Sequence, residues 1–232
     1  MAIIYFCKSF DRIYFPTLIA PIFNKFKKLD DDKLTYSINE LTAKTEFPIE
    51  DLYIMDGSKR SSHSNAYFTG LFGKKRIVFF DTLLDILDKN EIRSVLAHEI
   101  GHYKEKHILK STLLFSLLSL IFLFVFYTFL SVAFTNNISL YSTSTSSIAI
   151  MFILISPMIS FFLMPLLSSY SRKNEFEADN YAKVFTDRKD LVSSLLKLYR
   201  GNLSLIKSSK LYSIFYYSHP SVFDRINNLE KK

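Results

Sequence analysis

The sequence predicts a mainly α, membrane-embedded fold, with two transmembrane helices and a small antiparallel β-sheet beside a metal-binding helix. Three observations predict it. Residues 111–171 form 61 consecutive positions without Lys, Arg, Asp, Glu or His. The motif His98-Glu99-Ile100-Gly101-His102 sits inside a helical hydrophobic period. Between residues 45 and 80, short β-branched and aromatic runs are bounded by Asp, Gly and Ser.

Composition sets the outer limits. A chain of 232 residues with 49% apolar content can hold one core plus membrane segments. The net charge of +7 reads first as a Lys-rich surface; attraction to an anionic cytoplasmic leaflet is the rival reading. No nucleic-acid-binding motif accompanies the charge, which argues against nucleic acid as a partner. The single cysteine, Cys7, excludes an internal disulfide and fits a reducing compartment. It lies among aromatic residues far from the histidines, with no nucleophilic role expected.

Residues 1–28 read as a juxtamembrane or interfacial segment. Lys8, Asp11, Arg12, Pro16 and Pro21 interrupt its Ile, Phe and Tyr too often for a signal peptide or a span. Leu29–Lys44 predicts a short amphipathic helix carrying Leu34, Ile38 and Leu41 on one face. Residues 45–80 are assigned to the small sheet. Leu52–Met55 is its first strand, closed by Asp56-Gly57. The second half of Ser62–Gly70 and the run Lys75–Phe80 suggest a hairpin across Phe72-Gly73-Lys74. An edge of this sheet would let an extended peptide pair as an added strand.

The metal helix is assigned to residues 88–110. Asp88-Lys89-Asn90-Glu91 has the form of a capping box, and Ile92, Val95, Leu96 and Ile100 follow as a core-facing stripe. His98 and His102, four residues apart, share one face and aim two imidazoles at a single ion. Glu99 lies about 100° round the helix, within reach of a water on that ion. The pattern points to a catalytic zinc site. His107, five residues beyond His102, does not share the face and reads as a surface or interfacial residue. His63 reads as a polar-loop histidine.

The transmembrane helices are assigned to residues 111–134 and 148–169. Their apolar runs, Leu113–Phe134 and Ile148–Leu167, each span about 30 Å at about 1.5 Å per residue. Pro157 and Pro165 should kink the second. The connecting loop Thr135–Ser147 is uncharged, whereas Lys104, Lys106, Lys110, Arg172 and Lys173 flank the other ends. Those ends, and the metal helix with them, are expected on the cytosolic side. Residues 171–232 supply a further ligand-bearing helix and the C-terminal helices.

Catalytic zinc takes three protein ligands and one open position. The third ligand must come from the segment Ser171–Asp179 or from His219. Glu175 and Asp179 share a helical face, so Glu175 can ligate while Asp179 holds the free ring N–H of a ligand histidine. Glu177 points elsewhere and reads as surface. Asp190–Arg200 is a further amphipathic helix. His219, before Pro220, is a candidate donor to an oxyanion. The whole chain, 1–232, reads as a single catalytic domain.

Taken together these residues resemble the type 1 CAAX prenyl protease family of integral-membrane, gluzincin-like zinc metalloendopeptidases. The resemblance runs through Ile19-Ala20-Pro21-Ile22-Phe23, Gly57–Phe68, Arg76–Leu84, the metal helix, Ser171-Arg172 with Glu175-Phe176 and Ala178-Asp179, and Tyr217-Ser218-His219-Pro220 with Arg225. The block Ser58-Lys59-Arg60-Ser61-Ser62-His63-Ser64-Asn65-Ala66-Tyr67 is its most specific part.

The resemblance implies one zinc ion per chain, held by His98, His102 and Glu175, with Glu99 as general base. It implies His219 as transition-state stabiliser, and Asp179 as a support for the ligands or a proton donor. Asn65 falls on the substrate-binding edge strand, and Arg225, grouped with it, orders the site near His219. The implied reaction removes the C-terminal tripeptide after the prenylated cysteine of a CAAX protein, at the cytosolic face of the endoplasmic reticulum or inner nuclear membrane. Expected partners are the prenylated CAAX substrate, the lipid bilayer, and the N-terminal membrane helices that family members carry ahead of the region matching Met1–Phe26. This chain holds counterparts of only the last two membrane helices. The rival readings are a membrane-protein quality-control protease and a truncated, non-catalytic membrane module.

Overall fold

The computed structural model describes residues 20–61, 63–69, 75–135, 145–202 and 209–231. Residues 1–19, the turn expected at Phe72-Gly73-Lys74 and most of the loop 135–147 lie outside them.

Helix α1 (Ala20–Phe23) leads into strand β1 (Phe26–Lys28), a strand not anticipated within the 1–28 segment. Helix α2 (Asp32–Lys44) starts where the Asp31 side chain accepts from the Leu34 N–H. It buries the expected Leu34, Ile38 and Leu41. Strands β2 (Ile49–Met55), β3 (Ala66–Thr69) and β4 (Lys75–Phe80) complete a four-stranded sheet of order β1-β2-β4-β3. β3 and β4 pair antiparallel, as expected, with Ala66 opposite Phe79.

The sheet as a whole is mixed, which corrects the antiparallel assignment, because β2 and β4 run parallel. The reason lies in β4. Its run Ile77-Val78-Phe79 is buried on both faces, the condition a central parallel strand meets and a half-exposed antiparallel strand does not. The crossover between β2 and β4 runs through a 3₁₀ turn (Gly57–Lys59) and β3. Asp81 anchors that turn, accepting from the Ser58 backbone N–H at 2.9 Å and its hydroxyl at 2.5 Å. A side chain at Gly57 would collide with the Phe80 ring 2.6 Å away.

Helix α3 (Asp81–Ile86) precedes helix α4 (Lys89–Lys104), which carries the His-Glu-x-x-His motif. The capping box forms: Asp88 accepts from the N–H of Asn90 and Glu91, and the Glu91 carboxylate accepts from the Asp88 N–H. Glu91 is also bonded by Ser193 at 2.6 Å and Lys197 at 2.7 Å, which ties α4 to helix α7 (Arg188–Gly201).

The metal helix ends at Lys104, six residues before the expected boundary of 110. Glu105 caps it, and Lys106 takes a left-handed φ of 55°. A new helix, α5 (His107–Thr135), then begins. His107–Phe129 is the one described helix long and apolar enough to cross a membrane outright, and none of its most apolar stretch is buried inside the protein, although Phe122 and Phe126 pack against Phe152.

Helix α6 (Thr145–Phe185) runs for 41 residues and joins what the sequence divided into a span and a ligand-bearing helix. It reaches membrane-spanning length and apolarity only if Ala149–Met158 and Ser160–Phe185, bent by 46°, act as one unit. The bend follows Pro157. Proline removes the N–H that would bond the Ile153 carbonyl, and the Ser156 hydroxyl takes that carbonyl at 2.9 Å. The helix continues through Pro165. Helices α8 (Lys210–Tyr216) and α9 (Val222–Glu230) close the chain. The core joins one face of the sheet to α2, α4, α7 and α9 through residues such as Phe79, Leu96, Leu191, Val222 and Leu229.

Candidate active site

The site forms where α4 crosses α6, and a glycine permits the crossing. A methyl group at Gly101 would lie 3.1 Å from the Cα and carbonyl oxygen of Ala178 and from Tyr181 Cβ. A residue without Cβ lets the two backbones come this close without the neighbour giving way. The approach sets Glu175 and Asp179, one turn apart on α6, against His98 and His102, one turn apart on α4.

Three donor atoms converge. His98 Nε2 lies 3.2 Å from His102 Nε2 and 3.6 Å from Glu175 Oε2; His102 Nε2 lies 3.5 Å from Glu175 Oε1. Their donor atoms all lie within 4.8 Å of one another, as a shared metal ion needs. His98 and Glu175 are buried and His102 is partly exposed, which leaves an open side. Two imidazoles and a carboxylate suit zinc with a free fourth position.

Around them the charges are paired. His98 Nδ1 is 2.8 Å from Asp179 Oδ1. Asp179, fully buried, also accepts from Arg225 Nε at 2.8 Å and from Arg225 Nη2, a bidentate pair. Arg225 Nη1 lies 3.7 Å from Glu175 Oε2. Arg225 is itself buried, with its guanidinium committed to Asp179 and Glu175. The sequence reading groups it with Asn65 and has it order the site near His219; its contacts are with the two acids, Asp179 and Glu175.

The protonation states follow from these contacts. Burial and the charge of Arg225 oppose a proton on His98, yet the hydrogen bonds to Asp179 and Glu175 prevail and raise its pKa to about 9. Burial, reinforced by charge on His98, lowers His102 to about 3. Burial works against the Glu175 anion, but His219 and His98 hold its carboxyl well below the usual range. Glu99 shifts the other way. Burial raises its pKa, with repulsion from Glu175 adding to the effect against the pull of His98. A carboxyl raised in this way holds a proton more readily than a free one, which suits a group that accepts a proton and returns it.

His219 approaches from the loop after α8, with Nδ1 3.0 Å from Glu175 Oε1 and an exposed ring. Two groups the sequence reading missed hold this loop. Arg172, read there as a membrane-flanking charge and as part of the family resemblance but given no role in the site, donates from Nη1 to the carbonyls of Ser213 and Tyr217 at 2.9 and 3.0 Å. The Tyr199 hydroxyl donates to the Pro220 carbonyl at 2.9 Å. Backbone carbonyl partners carry no sequence signature, so neither contact was readable beforehand.

Asn65 is exposed at the start of β3, its side-chain oxygen accepting from the Ala66 N–H at 2.9 Å. β3 is a terminal strand of the sheet and packs against α4. His63 is exposed on the loop, in accord with its polar-loop reading. His107 is the clear correction: it is buried, not at the surface, and its Nδ1 lies 2.9 Å from His102 Nδ1. The left-handed Lys106 redirects the chain, so an uninterrupted-helix argument for position i+5 does not apply. Glu177, read as surface, reaches His107 Nε2 at 3.0 Å.

Comparison with known proteins joins this geometry to a family. The profile of Peptidase family M48 matches residues 28–232. The chain belongs to peptidase family M48. Family membership implies a metal, and the cluster of His98, His102 and Glu175 offers its donors. Among relatives of this M48 chain, CAAX prenyl protease 1 of Saccharomyces cerevisiae is 39% identical over 237 residues, covering 93% of this chain and 51% of that protein. The CAAX prenyl protease 1 homolog of Homo sapiens is 34% identical over 256 residues, covering 91% of this chain and 53% of that protein. The crystal structure of S. mikatae Ste24p aligns with a TM-score of 0.84 at 35% identity, over 99% of this chain and 57% of that one. The chain spans about half the length of the curated relatives it matches.

Proposed function

We propose that this chain is the catalytic part of a zinc metalloendopeptidase that removes the C-terminal tripeptide after the prenylated cysteine of CAAX proteins. The observation that carries the reading is the convergence of His98, His102 and Glu175 beside Glu99, in a chain 34–39% identical to proteins named CAAX prenyl protease 1. His98, His102 and Glu175 would hold one zinc. When bound, zinc would supply Lewis acidity that lowers the pKa of a water toward 7.

The chain's own groups do the rest. Glu99 takes a proton from the attacking water and passes it to the leaving amine. His219, on its tethered loop, donates to the developing oxyanion. Asp179 holds His98 through Nδ1 so that Nε2 faces the metal, and Arg225 neutralises the paired acids so that both can stay ionised. The substrate backbone adds to the edge of β3, with Asn65 at the entry to that strand.

The apolar faces of α5 and α6 support a two-span hairpin in the bilayer. Lys104, Lys106, Lys110, Arg172 and Lys173 at its open end support a cytosolic active site, and the endoplasmic reticulum membrane follows from the family resemblance alone. The specificity test is a pair of peptides differing only in the farnesyl group. Preference for the farnesylated peptide is expected; equal cleavage of both would favour a broader membrane-protein peptidase.

A further inference from the structure

The two ligand histidines are supported differently. His98 turns its Nδ1 directly to a carboxylate, Asp179. His102 turns its Nδ1 to another imidazole, His107, at 2.9 Å, and His107 turns its Nε2 to Glu177 Oε2 at 3.0 Å. The bridging ring is buried, at 4% exposure. The turn that puts it there is specific. Lys106, at φ 55°, donates its backbone N–H to the Tyr103 carbonyl at 3.0 Å and starts α5 with His107 under the last turn of α4. Glu177 is also 3.6 Å from Lys173 Nζ, one turn earlier on α6.

We propose that His107 and Glu177 are positioning residues that fix the tautomer and ring orientation of His102. The proposal rests on the reading that His98, His102 and Glu175 hold zinc. A neutral imidazole carries one proton. If His102 offers its Nε2 lone pair to a metal, its proton is on Nδ1 and must be donated to His107 Nδ1. The proton of His107 is then on Nε2 and is donated to Glu177. Each bond in the chain therefore permits one tautomer of each ring, the one that leaves His102 Nε2 free.

The same logic removes a competing possibility. Glu105, His107 and Glu177 also bring donor atoms within 4.8 Å of one another. A metal there would need the Nε2 lone pair of His107. That would place the His107 proton on Nδ1, and the His102 proton would move to Nε2, the nitrogen the first metal requires. With both rings neutral, the two sites exclude one another. The hydrogen-bond chain is the arrangement compatible with the catalytic cluster.

The test is a zinc titration of the full chain in detergent, in competition with a chromophoric chelator, with melting of the metal-free protein recorded alongside. Wild type should take up one zinc. His107→Phe and Glu177→Ala should weaken zinc binding about 10- to 100-fold, the usual loss when the support of a ligand histidine is removed. Glu177→Gln retains an acceptor oxygen and should recover most of that loss, while all metal-free Glu177 variants melt alike. Unchanged zinc affinity in His107→Phe and Glu177→Ala would overturn the proposal. So would a Glu177→Gln variant as weak as Glu177→Ala, or a second zinc in wild type that Glu105→Gln removes. If wild type takes up no zinc, the metal reading itself fails and the proposal falls with it.

Discussion

Replacing Gly101 with alanine tests the crossing on which the whole site depends. The added methyl would sit 3.1 Å from two backbone atoms of Ala178 and from Tyr181 Cβ, where ordinary contact begins at 3.4 Å. Main-chain atoms of a long helix cannot turn aside as a flexible side chain can, so α6 must retreat by a few tenths of an ångström. Overpacking of this kind costs about 1–3 kcal/mol. Alanine returns about 1 kcal/mol through helix propensity. The net loss is about 1 kcal/mol, read as a fall of about 2–4 °C in melting temperature for a chain of this size. The larger effect should be on metal binding. Glu175 and Asp179 flank Ala178 within one turn, so the retreat moves together the carboxylate proposed to hold zinc and the partner of His98 Nδ1. Zinc affinity should fall tenfold or more, out of proportion to stability, in a chelator competition beside thermal melting. A variant that melts higher than wild type and binds zinc equally well would refute the close-packing argument.

Other expectations follow from the same contacts. Asp179→Ala leaves Arg225 buried without its bidentate partner, and should cost about 3–5 kcal/mol by denaturant unfolding while weakening zinc binding. Arg172→Ala releases the carbonyls of Ser213 and Tyr217 and loosens the loop bearing His219; kcat should fall about tenfold or more with zinc content unchanged, as metal analysis beside kinetics would show. Glu91 gives a pH signature. Its burial favours the neutral acid, but Lys197, Ser193 and the Asp88 N–H hold its pKa below 4.5 in the folded protein. A depressed folded pKa contributes stability that is complete above 4.5 and is lost as pH falls through the folded value. Melting temperature measured from pH 6 down to pH 3 should therefore drop less steeply in Glu91→Gln than in wild type.

Much of the site was readable because its geometry is local to two helices. Residues four apart share a face, so His98 with His102 and Glu175 with Asp179 were grouped by spacing, and the structure brings the two pairs together. Their support was less readable. Arg225 reaches Asp179 from 46 residues away, a pairing that no spacing rule predicts. His107 was misread because helix periodicity was extended through a turn whose left-handed residue is a lysine rather than a glycine. In the fold, α2 and the capping box at Asp88 were legible from short-range patterns. The parallel β2–β4 pair was not, since pairing is non-local; the unbroken apolar run Ile77-Val78-Phe79 was the signal available for it. The second apolar run and the ligand-bearing segment form one helix because the change from apolar to charged residues at Arg172 marks the end of the apolar run, not of the helix, and hydropathy carries no signal for that continuity.

The central claim is that Glu99 acts as the base beside a zinc held by His98, His102 and Glu175. It is tested most directly by assaying cleavage of a farnesylated CAAX peptide by wild type and Glu99→Gln, with zinc measured in both. Chelator-sensitive cleavage is expected in wild type, with at least a hundredfold loss in Glu99→Gln and one zinc per chain retained in each. Cleavage that persists in Glu99→Gln, or that is indifferent to the chelator, would contradict it.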